Sequence, residues 1–211
     1  MMRLIFFLFL LVQSSLALAQ EVWVHAGGVL STLRTSGDYN VAIVDDDYHL
    51  KPGYCFGLSG NFKMNYSHTI IQSGFSLISA GGIYHPYEDI RKTLIHPDDP
   101  LFGPRFAAVD LIYIKVPVLA MFMVNESLYF NLGPYAGFLI DYENEYVKNM
   151  KTNSVDYGVI VGSSVYFAKR FGTSLYYQFG LGKVETVKIK GIGQGSNHNS
   201  LIELQLSYKL F

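Results

Sequence analysis

The chain has 211 residues and a formal net charge of -1, with 16% charged and 15% aromatic residues. So few charges and so many tyrosine and phenylalanine side chains argue against a disordered chain, and the lack of a basic excess argues against a nucleic-acid-binding protein. Cys55 is the single cysteine, so no intrachain disulfide can stabilise the fold. Stability must therefore come from closure of a sheet or from contact with lipid.

The amino terminus has the pattern of a cleaved secretory signal. Arg3 supplies positive charge, residues 4–12 are apolar, and Ala17-Leu18-Ala19 offers small residues for cleavage. The apolar part is too short to cross a bilayer as a helix. We therefore predict a signal peptide at residues 1–19 and one mature domain at residues 20–211.

Eight segments of the mature chain alternate apolar and polar side chains with the period of two that is typical of β-strands. The last segment is the clearest, because every second residue from Ile202 to Leu210 is apolar and the residues between are polar. We predict that this segment closes a barrel by pairing with residues 22–30. The longest apolar run after the signal, 111–124, is too short for a spanning helix. In chain order the predicted strands are 21–33, 53–64, 69–84, 106–123, 128–142, 155–167, 171–184 and 201–211.

The connections between these strands alternate between long and short. This alternation is typical of an even-stranded outer-membrane barrel with both chain ends on the periplasmic side. The polar faces carry mostly Gly, Ser, Asn, Gln and Tyr, which suit a narrow, filled lumen, so the apolar faces are predicted to contact membrane lipid and lipopolysaccharide. The sequence thus predicts an eight-stranded antiparallel up-and-down transmembrane β-barrel in the cell outer membrane. The long connections are 34–51, 85–105, 143–154 and 185–200, and the short ones are 65–68, 125–127 and 168–170.

Several stretches resemble the small outer-membrane β-barrel domain of Bacteroidota that is often labelled porin-family or PorT-like. They include AGGVLSTL at 26–33, IYIKVPVLAMF at 112–122 and LGPYAGFLI at 132–140. The resemblance covers essentially the whole mature chain and implies an outer-membrane barrel, with a role beside a protein secretion system as one option. Two positions depart from the family's usual pattern. Lys115 stands where an acidic residue is usual, and Leu210 stands where the lipid-facing series usually ends with an aromatic residue.

Charged residues on the polar faces are predicted to point into the lumen and to form ion pairs there, since an interior this narrow is filled by side chains. These predicted lumen charges are Lys63, Lys115, Asp141, Glu203 and Lys209. The terminal strand is predicted to be read by the barrel-assembly machinery through Leu206, Tyr208, Leu210 and Phe211.

Other candidate sites are weaker. Asp45, Asp46 and Asp47 form an acidic run in the first long connection. Carboxylates in a loop can hold calcium or the divalent ions that bridge lipopolysaccharide phosphates. A solvated loop tip is the simpler interpretation. The second long connection contains four further candidates that would have to fold together, namely His85, His96, Asp98 and Asp99.

An enzymatic function finds little support. A lipid acyltransferase or deacylase needs a serine, a histidine base and a carboxylate within reach of one another. His25 lies inside a strand without an identifiable acidic partner, and Cys55 has no basic neighbour to activate it. We predict no catalytic residue and no cofactor.

The leading hypothesis is a non-enzymatic outer-membrane protein whose loops or rim bind a partner or stabilise the envelope. A PorT-like accessory role in secretion is an alternative, and the partner would then be a secretion or envelope protein. A lipid-modifying enzyme and a secreted lipocalin-like carrier remain as further alternatives from other classes.

Overall fold

A computed structural model describes residues 19–39, 48–63, 69–84, 107–144, 151–189 and 193–211. Strands and tight turns account for almost all of these residues. No helix within these ranges is long and apolar enough to cross a membrane. The strands are β1 (Glu21–Tyr39), β2 (Lys51–Lys63), β3 (Thr69–Tyr84), β4 (Ala107–Met123), β5 (Leu128–Asn144), β6 (Lys151–Thr152), β7 (Val155–Phe167), β8 (Phe171–Gly180), β9 (Glu185–Ile189) and β10 (Gly193–Lys209).

The sheet closes on itself. Each long strand pairs antiparallel with the next, and β1 pairs with both β2 and β10. The seam between β1 and β10 runs from Trp23 opposite Lys209 to Tyr39 opposite Gly193. The short strands β6 and β9 pair with each other and extend the wall, since β9 also pairs with β10. The predicted eight-stranded antiparallel barrel, and the seam predicted for residues 22–30, are therefore confirmed.

Burial alternates along the strands as the hydropathy pattern predicts. In β10 the side chains of Leu201, Glu203 and Gln205 are buried, whereas those of Leu204 and Leu206 are 56% and 67% exposed. Exposed aliphatic and aromatic side chains cover the outer wall in the same way on the other strands. Apolar side chains exposed at every second position need an apolar medium outside the barrel, so the polar face of each strand turns inward.

The barrel has a turn end and a loop end. The turn end carries residues 124–127, residues 168–170 and the carboxyl terminus; the opposite rim is the loop end. At the turn end, the Asn125 side chain accepts hydrogen bonds from the backbone N–H groups of Ser127 and Leu128, at 2.9 and 2.8 Å. This local Asn turn lets β5 begin at the predicted residue.

The strands reach further at the loop end than predicted. β1 continues to Tyr39 rather than ending at residue 33, and β10 begins at Gly193 rather than at residue 201. Residues 193–200 have a loop-like composition of glycine, serine and asparagine, yet they form a regular ladder with β1. Side-chain hydrogen bonds such as Thr35 Oγ1 to Asn197 Oδ1, at 3.1 Å, hold this polar extension together.

A β-bulge in β5 reverses the inward face near the loop end. Ile112 lies opposite Asp141, but Tyr113 lies opposite Leu139, so Ile140 is the extra residue. Beyond it, Tyr142 packs against the interior and Asp141 is exposed. The prediction that Asp141 points into the lumen is therefore wrong, because one inserted residue exchanges the two faces of a strand.

Apolar clusters fill the lumen at several levels. The largest lies toward the loop end and includes Leu111 and Leu201, which are 0% and 2% exposed. A second cluster is formed by Leu119, Tyr135, Ile160 and Tyr176. A third, nearer the turn end, combines Ile70, Met121 and Tyr129 with Tyr166. The interior is thus packed with side chains on both sides of a polar middle layer.

Candidate functional site

The centre of the lumen holds a buried ion pair between Lys115 and Glu203. Lys115 Nζ donates to Glu203 Oε2 at 2.5 Å, and the two side chains are 4% and 0% exposed. Lys115 is on β4 and Glu203 on β10, which are four strands apart in the eight-stranded ring. The pair therefore bridges opposite walls of the barrel.

Two further groups lie against the carboxylate of this pair. Gln205 Nε2 donates to the second carboxylate oxygen of Glu203 at 2.6 Å, and the Cys55 thiol also approaches this carboxylate. Buried charges are tolerated where they are paired and hydrogen-bonded in this way. The lysine at position 115, unusual for the resembling family, thus has its acidic partner on the terminal strand.

A network of polar side chains continues toward the turn end. Asn131 Nδ2 donates to Ser164 Oγ at 2.6 Å, and the hydroxyl groups of Ser164 and Ser174 are 2.7 Å apart. The Tyr176 hydroxyl donates to Gln72 at 3.4 Å and links opposite parts of the wall. A cavity of about 20 Å³ beside His25, Lys115 and Gln205 has room for roughly one water molecule.

The mouth of the barrel at the turn end carries a second charge cluster. Glu21 Oε1 accepts hydrogen bonds from both Lys63 and Lys209, each at 2.8 Å. Their side chains are 54% and 27% exposed, so these lysines lie at the mouth and not at the centre of the lumen. The prediction of lumen positions was wrong for Lys63, because the strand ends there and its side chain reaches water.

The groups considered for catalysis are enclosed. His25 Nε2 and Ser76 Oγ are 2.9 Å apart, but these side chains are 7% and 2% exposed and face the packed interior. Cys55 is also buried. Among the residues that the structure describes, no group of three or more His, Cys, Asp or Glu side chains is placed to hold a metal ion. The acidic run of Asp45, Asp46 and Asp47 lies outside the described residues, as do His85, His96, Asp98 and Asp99.

Residues 15–185 match the family model described as an outer membrane protein beta-barrel domain. The chain belongs to this family. Its place is therefore the outer membrane, and its exposed apolar wall faces lipid. No curated protein sequence matches the chain.

Solved structures support the fold. The outer membrane protein OprG from Pseudomonas aeruginosa has 10% sequence identity and a TM-score of 0.52, with 91% of this chain and 96% of that chain covered. Neisserial surface protein A has 14% identity and a TM-score of 0.43, covering 87% and 96%. Ail of Yersinia pestis, solved in complex with the heparin analogue sucrose octasulfate, has 14% identity and a TM-score of 0.42, covering 90% and 98%. At these identities the likeness to OprG shows the shared barrel fold.

The predicted assembly residues of this family member lie on the outer wall or at its edge. Leu206 and Phe211 are 67% and 70% exposed, and Leu210 is 47% exposed. Tyr208 has fixed neighbours: its ring lies 5.1 Å from the Phe171 ring, and its hydroxyl accepts a hydrogen bond from Arg170 at 3.2 Å. The regular strand ends at Lys209, in agreement with Leu210 being the last residue in the lipid-facing series.

The last two residues nevertheless hold the seam through their backbone. Leu210 N–H donates to the Val22 carbonyl at 2.8 Å, and Val22 N–H donates to the Phe211 carbonyl at 3.1 Å. Both bonds use backbone groups, so they would also form with a different residue at position 211. The contribution of Phe211 to the seam is thus largely independent of its ring.

Sequence reasoning missed one buried polar cluster near the loop end. It consists of Tyr135, Asp156, Gln178 and Asn199, of which Asp156 is 2% exposed. Asp156 was recognisable as a charge on the polar face of its strand. Its neighbours were not recognisable. Asn199 lies in a stretch with the composition of a loop, and the register across three strands determines which side chains are in contact.

Proposed function

We propose that this chain is a non-enzymatic outer-membrane protein that acts through its extracellular loops and rim, by binding a partner or by stabilising the envelope. The observation that carries this proposal is the Lys115–Glu203 bridge across a packed lumen. An eight-stranded barrel is just wide enough for side chains to fill it. Its interior then serves as a structural core, which leaves the rims as the surfaces for recognition.

The first experiment tests the sealed lumen by single-channel recording in planar lipid bilayers. We expect no stable conductance from the wild-type barrel, because the bridge and the apolar clusters block ion passage. A variant with both Lys115→Ala and Glu203→Ala widens the middle layer and serves as the matched comparison. A large, stable pore in the wild type would contradict the proposal.

The second experiment tests recognition at the loops. Wild-type barrel and a variant with residues 85–106 replaced by a short glycine-serine linker are used as baits in mild detergent. We expect a specific envelope component to bind the wild type and not the loop variant. Equal capture by both baits would argue against recognition by this loop, and a changed lipid A mass after gene deletion would favour the enzymatic alternative.

A PorT-like accessory role in protein secretion is the second candidate, and the resemblance of stretches such as 112–122 and 132–140 to that group in Bacteroidota favours it. Deletion of the gene would then stop the export of cargo proteins while other outer-membrane proteins remain in place. We further propose that residues 1–19 are removed on export, and that the barrel-assembly machinery inserts the mature chain among lipid and lipopolysaccharide. Amino-terminal sequencing of the purified barrel tests the cleavage.

A further inference from the structure

Three buried side chains near the loop end leave polar atoms without hydrogen bonds. Within the described part of the chain, Asp156 Oδ1, Gln178 Oε1 and both side-chain polar atoms of Asn199 have no hydrogen-bond partner. The three residues are 2%, 3% and 0% exposed. Buried polar atoms almost always have partners, so a group of such orphans on one side of the lumen needs an explanation.

The unpartnered atoms belong to side chains on neighbouring strands. Asp156, Gln178 and Asn199 point inward from β7, β8 and β10, which are consecutive in the wall. The Tyr135 hydroxyl donates to Asp156 Oδ2 at 3.0 Å and is itself approached by Gln178. The amide of Asn199 also approaches Asp156. Asn199 is therefore a neighbour of Asp156, and Tyr135 connects Asp156 to Gln178.

Glycines line the wall beside Asp156. Gly158 and Gly180 lie opposite each other in the wall and face inward without side chains. A Cβ atom at Gly158 would lie 2.8 Å from the Tyr135 ring, and one at Gly182 would lie 3.0 Å from Asp156 Oδ1. The nearest atoms to these Cβ positions belong to the backbone, namely the Phe179 carbonyl oxygen at 2.1 Å and the Tyr157 nitrogen at 2.9 Å. The glycines therefore let Tyr135 and Asp156 pack closely against the wall.

The carboxylate of Asp156 also has no positive partner among the described residues. The four ion pairs in that part of the chain involve other acids, namely Glu21 twice, Asp110 and Glu203. Arg34 donates instead to Ser200 Oγ and to the Gly180 carbonyl, at 2.7 and 2.8 Å, and its guanidinium lies over the Phe179 ring. An ionised carboxylate buried without compensation is strongly unfavourable.

We propose that Asp156, Gln178 and Asn199 bind a small monovalent cation of the sodium type inside the loop end of the barrel. Carboxylate and amide carbonyl oxygens are hard ligands that suit such ions. One carboxylate balances one positive charge, whereas a divalent ion would leave a net charge in the packed interior. The wall is also irregular beside these residues: the N–H groups of Leu181 and Gly182 both donate to the Tyr157 carbonyl, so the ladder is interrupted next to Asp156. The ion thus sits near the loop end, away from the Lys115–Glu203 bridge.

The test is thermal unfolding of the purified, detergent-solubilised barrel in sodium chloride and in choline chloride at equal ionic strength. We expect the wild-type midpoint to rise with the logarithm of the sodium concentration, by about 3 °C or more when sodium exceeds its dissociation constant roughly tenfold. Asp156→Asn keeps the size of the side chain and removes the charge, so this response should disappear. Equal midpoints of the wild type in both salts would overturn the proposal.

Two control variants separate this site from other carboxylates. Asp110→Asn changes an acid at the same end of the barrel that already pairs with Lys51, and it should keep the sodium response. A triple variant with Asp45, Asp46 and Asp47 changed to Asn should keep it too. Loss of the response in the triple variant would place the ion in the loop and refute the assignment.

A further variant covers the case in which Asp156→Asn does not fold. Gln178→Met retains the carboxylate but removes one ligand, so it should need about tenfold more sodium for the same midpoint shift, corresponding to ~1.4 kcal/mol of binding free energy. An unchanged sodium dependence in Gln178→Met would overturn the proposed ligand set. Stabilisation by calcium chloride but not by sodium chloride would overturn the monovalent assignment.

Discussion

The Lys115–Glu203 bridge makes the sharpest stability prediction, through the single substitution Glu203→Gln. Glutamine keeps the shape of the side chain and removes its charge, which leaves the ammonium group of Lys115 buried and unpaired. At the observed 2.5 Å the two charges attract each other by about 7 kcal/mol for an effective dielectric constant of roughly 20. Desolvation of both ions, at several kcal/mol each, offsets most of this attraction in the intact pair. Removal of one partner therefore destabilises the barrel by about 3–5 kcal/mol.

Equilibrium unfolding in urea, with the barrel in detergent or lipid vesicles, measures this loss. Trp23 is the single tryptophan and is 4% exposed, so its fluorescence reports the opening of the barrel. The double variant Lys115→Met with Glu203→Leu should recover the stability, because a packed apolar pair is neutral or stabilising relative to a buried ion pair. As a control, Asp110→Asn breaks a pair whose acid is 45% exposed, and it should cost about 1 kcal/mol or less. A loss below about 1 kcal/mol for Glu203→Gln, or a double variant no more stable than the single one, would refute this reasoning.

Two further predictions concern the wall and the seam. Gly158→Ala should destabilise the barrel by about 1–3 kcal/mol in the same urea titration, because its Cβ would lie 2.1 Å from the Phe179 carbonyl oxygen. Gly28→Ala is the control and should be neutral, because nothing lies within 4 Å of its Cβ. Equal losses of stability in the two variants would contradict this packing argument. After deletion of Phe211, most of the protein should still assemble, measured as the heat-modifiable fraction in outer membranes. Tyr208→Ala should reduce that fraction, because Tyr208 contacts Arg170 and the Phe171 ring. Loss of assembly on deleting Phe211 alone would contradict this prediction and show that the assigned phase of the terminal strand is wrong.

The number, order and facing of the strands could be predicted because lipid outside the barrel imposes one rule on every residue of the wall. Each outward position must be apolar, so the alternation persists along whole strands and fixes which side chains face inward. β3 was predicted at its observed bounds, 69–84, and the seam between β1 and β10 followed from the pattern of the last strand. The family match and the closed sheet confirm this part of the prediction.

The alternation of apolar and polar residues does not reveal how far along the barrel axis a residue lies, or where a bulge occurs. Lys63 and Lys115 both lie on polar faces, yet one reaches water at the mouth while the other crosses the lumen to Glu203. The extra residue Ile140 leaves an apolar segment that still reads as regular, so the outward turn of Asp141 was missed. Polar strands such as residues 193–200 escape prediction for a related reason, because above the lipid the outer face need not be apolar.

The two buried charge sites follow different physical logic, and this difference assigns them different roles. The Lys115–Glu203 bridge is internally neutral and hydrogen-bonded on both carboxylate oxygens, so it requires nothing from outside and acts as part of the core. Asp156 has no ion pair with a cationic side chain among the described residues, and its Oδ1 has no hydrogen-bond partner there. The charge site in the middle of the lumen is neutral and hydrogen-bonded, whereas the one near the loop end lacks a cationic partner in the described part of the chain. This arrangement fits a barrel whose lumen is sealed and whose loop end responds to ligands. Interactions with ions or partners should therefore alter the loop end first, while the centre of the lumen keeps its structure.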